Sequence, residues 1–166
     1  MKEEFTLSVE FGYGDCIHML FSDGTKRKII TFIDDDPFYD DSSIHRYHNN
    51  PYWHYYIVSW LIDVGIGLLK NVKGEYSLGT EYSTEPSFVS FFAKTISDGN
   101  VKIKIHDNEN DEKVTFIAPI GRYAEQVIIL SDKYKEEFSR YNELAREYYS
   151  TEGKLEQLKK LLHARS

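Results

Sequence analysis

Cysteine is nearly absent: Cys16 is the only one among 166 residues, so no intrachain disulfide can form within the sequence. It stands in the apolar run Cys16-Ile17-His18-Met19-Leu20-Phe21 and reads as a small packed hydrophobe, since apolar, buried thiols are inert. A lone cysteine suits a reducing compartment. Proline is scarce, with four residues, so regular elements are seldom interrupted. Long hydrophobic runs are missing as well. The longest, Tyr55 to Leu69, is about 15 residues and is broken by Asp63, short of the roughly 20 needed to cross a bilayer. The start, Met1-Lys2-Glu3-Glu4, has no apolar stretch of the kind a signal peptide requires. A cytoplasmic protein without a membrane partner is expected. Basic charge is in deficit, 20 Lys and Arg against 27 Asp and Glu, for a net charge of −7. That balance argues against nucleic acid as a partner, because phosphate binding needs a basic face. Gly-rich phosphate loops, paired CxxC motifs and HExxH are also absent.

Aromatic residues are abundant: 13 Tyr, 10 Phe and 2 Trp, 15% of the chain. Disordered chains lack aromatics, so a folded core is expected, and the length suits one domain. Phe5, Leu7, Val9 and Phe11 alternate with Thr6, Ser8 and Glu10, the period of a half-buried strand. Cys16 to Phe21 and Lys26 to Ile33 read as two more strands, joined by the hairpin signal Ser22-Asp23-Gly24-Thr25. Asn50-Pro51 is a helix start, Asn as cap and Pro in the first turn. The predicted helix runs to about Asn71 and is apolar nearly all round, which requires burial on more than one side. Strands follow over Tyr76 to Tyr82, Ser87 to Ile96 (with a short helix as the competing reading), Val101 to His106 and Lys113 to Ile117. In the third of these Val101, Ile103 and Ile105 point in and Lys102, Lys104 and His106 point out. From about Ile120 the spacing becomes helical, with Tyr123, Val127, Leu130, Tyr134, Phe138, Tyr141 and Tyr148 on one stripe to about Tyr149. A last helix, Lys154 to Ala164, carries Leu155, Leu158, Leu161 and Leu162. The expected class is α+β: an antiparallel sheet built of hairpins, a central buried helix and a long C-terminal amphipathic helix. Residues 1–150 would form the domain and 151–166 a short helical extension, whose leucines and the tyrosine stripe could also serve a homodimer.

The acid excess is local. From Asp132 to Arg165 seven acids face eight bases, so the negative charge lies upstream. Asp34, Asp35, Asp36, Asp40 and Asp41 form a run without a base, with Pro37, Phe38 and Tyr39 in its middle and Tyr47 close behind. One reading is a solvated acidic loop. The other is a recognition surface for a basic partner, in which carboxylates steer and select while rigid aromatics anchor. The aspartate spacing does not match an EF-hand, which needs ligands at alternate positions and a closing Glu. His45, His48 and His54 lie close by, and a His/Asp metal site is chemically possible there, but their spacing is not diagnostic of one, and a surface or helix-start histidine cluster is the expected reading. No serine stands in a nucleophile elbow. A non-catalytic binding protein without a cofactor is therefore expected, with a small enzyme or ligand-binding domain using the His/Asp cluster as the alternative.

The acidic-aromatic stretch Asp34–Asp41, the aromatic helix with Tyr56, Ser59, Trp60 and Leu61, and Glu85-Pro86 ahead of the second group of strands together give the chain a style that resembles bacterial immunity proteins. These protect a cell from its own polymorphic or contact-dependent growth-inhibition toxins. The resemblance implies a cytoplasmic protein that binds a toxin domain, often a basic nuclease, and blocks its active site. It carries no motif that transfers a site residue by residue.

Overall fold

The computed structural model describes residues 4–11, 16–33, 53–70, 73–78, 89–96, 99–107, 111–141 and 152–165. Their order is β1 (Thr6–Phe11), β2 (Cys16–Ser22), β3 (Arg27–Ile33), α1 (Trp53–Leu69), β4 (Glu75–Leu78), β5 (Val89–Ile96), β6 (Asn100–Asp107), β7 (Glu112–Pro119), α2 (Ile120–Tyr141) and α3 (Glu152–Arg165). The class is α+β. The expected hairpins are present, but they divide into two antiparallel sheets, β1-β2-β3 and β4-β5-β6-β7.

Local chemistry explains the turns. In the β2–β3 hairpin Gly24 has φ 87°, a left-handed conformation that glycine adopts without a Cβ penalty. Asp23 Oδ1 accepts hydrogen bonds from the backbone N–H of Thr25 (3.0 Å) and Lys26 (2.9 Å) and from the Thr25 hydroxyl (2.8 Å). That is the side-chain-to-backbone pattern that makes Asp a turn former.

The inner faces of the two sheets meet through aromatic side chains. The Phe21 ring of β2 lies 6.0 Å from Phe91 of β5 and 6.3 Å from Phe116 of β7. Phe5, just ahead of β1, contacts Phe116 at 6.0 Å and Tyr123 of α2 at 6.4 Å. Such pairs add about 0.5–1.5 kcal/mol beyond the area they bury. Helix α1 packs into the same core. Ile57, Val58, Leu61, Ile62, Val64 and Leu68 are all buried, and Trp60 sits 5.8 Å from Phe91. The all-round apolar character of this helix is thus satisfied: α2, α3, β4 and β5 surround it. Among the described residues no helix is long and apolar enough to cross a membrane.

Helices α2 and α3 complete the enclosure. The α2 stripe Tyr123, Val127, Leu130 and Tyr134 is buried, as the helical period requires; Tyr148 lies outside the described residues. In α3, Leu155 and Leu158 are buried in the chain's own core. Two ion pairs fix that helix at the rim, Lys154 to Asp63 of α1 at 3.1 Å and Lys159 to Asp132 of α2 at 3.0 Å. Asp63, the polar interruption of the apolar run, is therefore the α1 position where α3 lands.

One sheet edge is closed by side chains. The N–H of Leu7 donates to Gln126 Oε1 (3.2 Å), and Arg122 Nε–H donates to the carbonyl of Phe5 (2.9 Å). Strand-edge groups buried without a partner would cost about 1–3 kcal/mol each, so Gln126, which with Ser131 is one of two buried polar residues described in α2, has a clear role.

Two positions yield tests. A Cβ added to Gly67 would collide with the Tyr76 hydroxyl and lie 2.9 Å from its Cζ. Gly67→Ala should therefore lose about 1–3 kcal/mol by overpacking. Combined with Tyr76→Phe it should cost less than the sum of the two single changes in urea denaturation. Tyr123 is fully buried and donates its hydroxyl to the Leu61 carbonyl at 2.8 Å. Burial, with lesser contributions from the nearby Asp63 charge and Tyr76, holds its phenol well above the ordinary value. The folded state thus keeps a proton that the unfolded chain releases near pH 10. Its contribution is complete below that pH and is lost as pH rises further. Denaturation of wild type and Tyr123→Phe from pH 7 to 11 should show a steeper alkaline loss in wild type, with the variant about 1 kcal/mol weaker at pH 7.

Candidate functional site

Asp34, Asp35, Asp36, Phe38, Tyr39, Asp40, Asp41, His45, Tyr47, His48 and Tyr52 all lie outside the described residues. What is described is their attachment: β3 ends at Ile33 and α1 begins at Trp53. His54 falls in the first turn of α1. Among the described residues no three His, Cys, Asp or Glu side chains group as a metal site.

One face of the described structure carries a concentration of charge opposite in sign to the acidic run. Strand periodicity builds it. In β6 the inward residues Val101, Ile103 and Ile105 are fully buried, which sends Lys102, Lys104 and His106 to the other face. Register then aligns the neighbours. Phe92 of β5 pairs with Lys104, Lys94 with Lys102 and Ser90 with His106. On the other side Lys102 pairs with Ile117 of β7, Lys104 with Thr115 and His106 with Lys113. Ser77 and Glu75 of β4 extend the rows beside Phe92 and Lys94. The outer face of the four-stranded sheet thus gathers four lysines and a histidine around Phe92 and Ile117, with Glu75 as its one carboxylate among the described residues.

The details suit binding. Lys104 Nζ stands 5.6 Å from the centre of the Phe92 ring, a cation–π distance. Lys94 pairs with Glu75 at 3.2 Å across two exposed side chains, an arrangement worth little to stability. His106 Nε2 lies 3.2 Å from Asp111 Oδ1 in the β6–β7 turn. Ile117 is 55% exposed. Between β4, β5 and β6 a solvent-open cleft of about 510 Å³ is walled by Glu75, Ser77, Phe92, Lys94, Lys102 and Lys104. The outward direction of Lys102, Lys104 and His106 was readable from alternation alone. Phe92, Lys94 and Lys113 were not connected to them, because strand register decides that and the acidic composition draws attention elsewhere.

A second charged feature has a structural role. Lys28 occupies an inward row of β3, in line with Ile30, and Asp107 an inward row of β6, in line with Ile105. They meet at 3.1 Å with side chains only 11% and 13% exposed, and Glu112 adds a second contact to Lys28 at 3.5 Å. This pair joins the two sheets at the end of the aromatic seam.

No protein-family model matches the sequence, and no curated protein or solved structure matches it. The functional reading therefore rests on the residues themselves.

The Lys28–Asp107 junction predicts an asymmetry. Asp107→Asn leaves a largely buried cation short of its main partner and should cost about 1–3 kcal/mol in chemical denaturation. The paired change Lys28→Met with Asp107→Leu removes both charges and should restore most of that loss, as apolar replacements of buried ion pairs commonly do.

Proposed function

We propose that the chain is a non-catalytic immunity protein that binds and neutralises a cognate, basic toxin domain in the cytoplasm. The observation that carries this reading is the placement of the acidic-aromatic run in the chain. Five aspartates with Phe38 and Tyr39 fall in the connection between the end of β3 and the start of α1. Both flanks are regular elements: β3 pairs along β2, and α1 buries Ile57, Val58, Leu61 and Ile62. Recognition residues concentrate on connections that a rigid scaffold holds, and carboxylates beside aromatics match the chemistry of a basic surface.

In this reading Asp34, Asp35, Asp36, Asp40 and Asp41 pair with lysines and arginines around the toxin's active site, while Phe38, Tyr39 and Tyr47 pack against it. Binding covers the site, and the immunity protein performs no reaction. Steering by the carboxylates makes association fast and dependent on ionic strength.

Co-expression tests this directly. The terminal domain encoded by the adjacent open reading frame should arrest growth alone and be harmless in the presence of this protein. Replacing the five aspartates with asparagine should weaken that protection. With purified components it should slow association by about tenfold or more at low salt and flatten the salt dependence. A growth-arresting domain neutralised equally well by the asparagine variant would exclude the acidic run from the interface.

A further inference from the structure

We infer that the outer face of the four-stranded sheet is a docking surface for an acidic segment of a protein partner. It is opposite in sign to the Asp34–Asp41 run and independent of the reading above.

Register supplies the first argument. Lys94 and Lys102 stand directly opposite each other on β5 and β6, and His106 stands opposite Lys113 on β6 and β7. Cross-strand neighbours approach to about 4.5–5.5 Å at Cβ, where the like charges of Lys94 and Lys102 repel. Glu75 lies beside Lys94 in a solvent-exposed pair, and Asp111 in the β6–β7 turn approaches His106; no carboxylate among the described residues of the face lies between Lys94 and Lys102. An anionic group lying across these rows would relieve the repulsion that the sheet itself imposes.

Apolar anchors supply the second. Phe92 is half-buried beneath Lys104, and Ile117 is exposed next to Lys102. Two apolar side chains ringed by cations reproduce the anatomy of a protein interface, an apolar centre inside a charged rim. The open cleft between β4 and β6 borders Phe92.

Charge complementarity selects the occupant. The face is positive, yet the chain carries −7 overall. A nucleic acid is an extended polyanion that meets the whole field and gains through many phosphate contacts. Sequence-independent strand binding also relies on successive aromatic platforms, and Phe92 is the only aromatic residue on this face among those described. A short acidic stretch of polypeptide with one or two apolar side chains matches both the size and the sign.

Fluorescence polarisation with the purified protein in low salt tests the inference. The probe is a fluorescein-labelled nonapeptide of glutamates containing one phenylalanine and one leucine, with a ten-nucleotide oligothymidylate as comparison. Wild type should bind the peptide more tightly than the oligonucleotide. Lys102→Glu combined with Lys104→Glu should weaken peptide binding by about tenfold or more, while the control Lys133→Glu with Lys160→Glu, on the helices, should change it little. Lys102→Glu alone should raise the melting temperature, because it turns an opposed like pair into an attractive one, and this readout requires no ligand. Tighter binding of the oligonucleotide, no peptide binding by wild type, equal loss in the two double variants, or a lowered melting temperature for Lys102→Glu would each overturn the inference.

Discussion

A helix that is apolar on nearly every side has to be enclosed on nearly every side, and α1 is such a helix, with Asp63 as its exposed exception. Ile57, Val58, Leu61, Ile62, Val64 and Leu68 cover more than one stripe of its surface, and all are buried. A single sheet would cover one face and leave the rest in water, at about 25 cal/mol for each Å² of apolar surface left exposed. The protein meets this constraint with the four-stranded sheet on one side, α2 and α3 on others, and the three-stranded sheet joining through Phe5 and Phe21. Even the close approach of Tyr76 to Gly67 belongs to this enclosure. The α3 helix, which looks like an appendage in the sequence, is one of the walls.

The legible and illegible parts divide along a physical line. Features fixed by period were readable from sequence: the alternation in β1 and β6, the 3.6-residue stripe of α2 and the hairpin at Asp23-Gly24. Features fixed by partners far along the chain were not. Lys28 looks like an outward lysine in a strand, but Asp107, 79 residues later, turns it into an inter-sheet pair. Gln126 looks like a surface residue of an amphipathic helix, yet its amide serves Leu7, 119 residues earlier. The split of the strands into two sheets is of the same kind, because pairing choices depend on three-dimensional packing.

The same division applies to the candidate sites. The acidic-aromatic run is visible in sequence because it is contiguous. The basic face is dispersed over β5, β6 and β7 and becomes one surface only when the register is known. A chain of net −7 thus carries four lysines together on one sheet face, with the hydrophobic seam on the opposite side of the same strands. In β6 one strand serves both: its even residues face water and cations, its odd residues the core.

The bonds from Gln126 and Arg122 to the edge of β1 also set an order of events during synthesis. The three-stranded meander is made before α2, and the groups that close its edge come 119 residues after Leu7 and 117 residues after Phe5. At typical elongation rates of about 5–20 residues per second, the nascent sheet waits on the order of ten seconds with that edge open. An open edge invites pairing with another chain. Until α2 is made, the edge of β1 lacks the side chains that cap it.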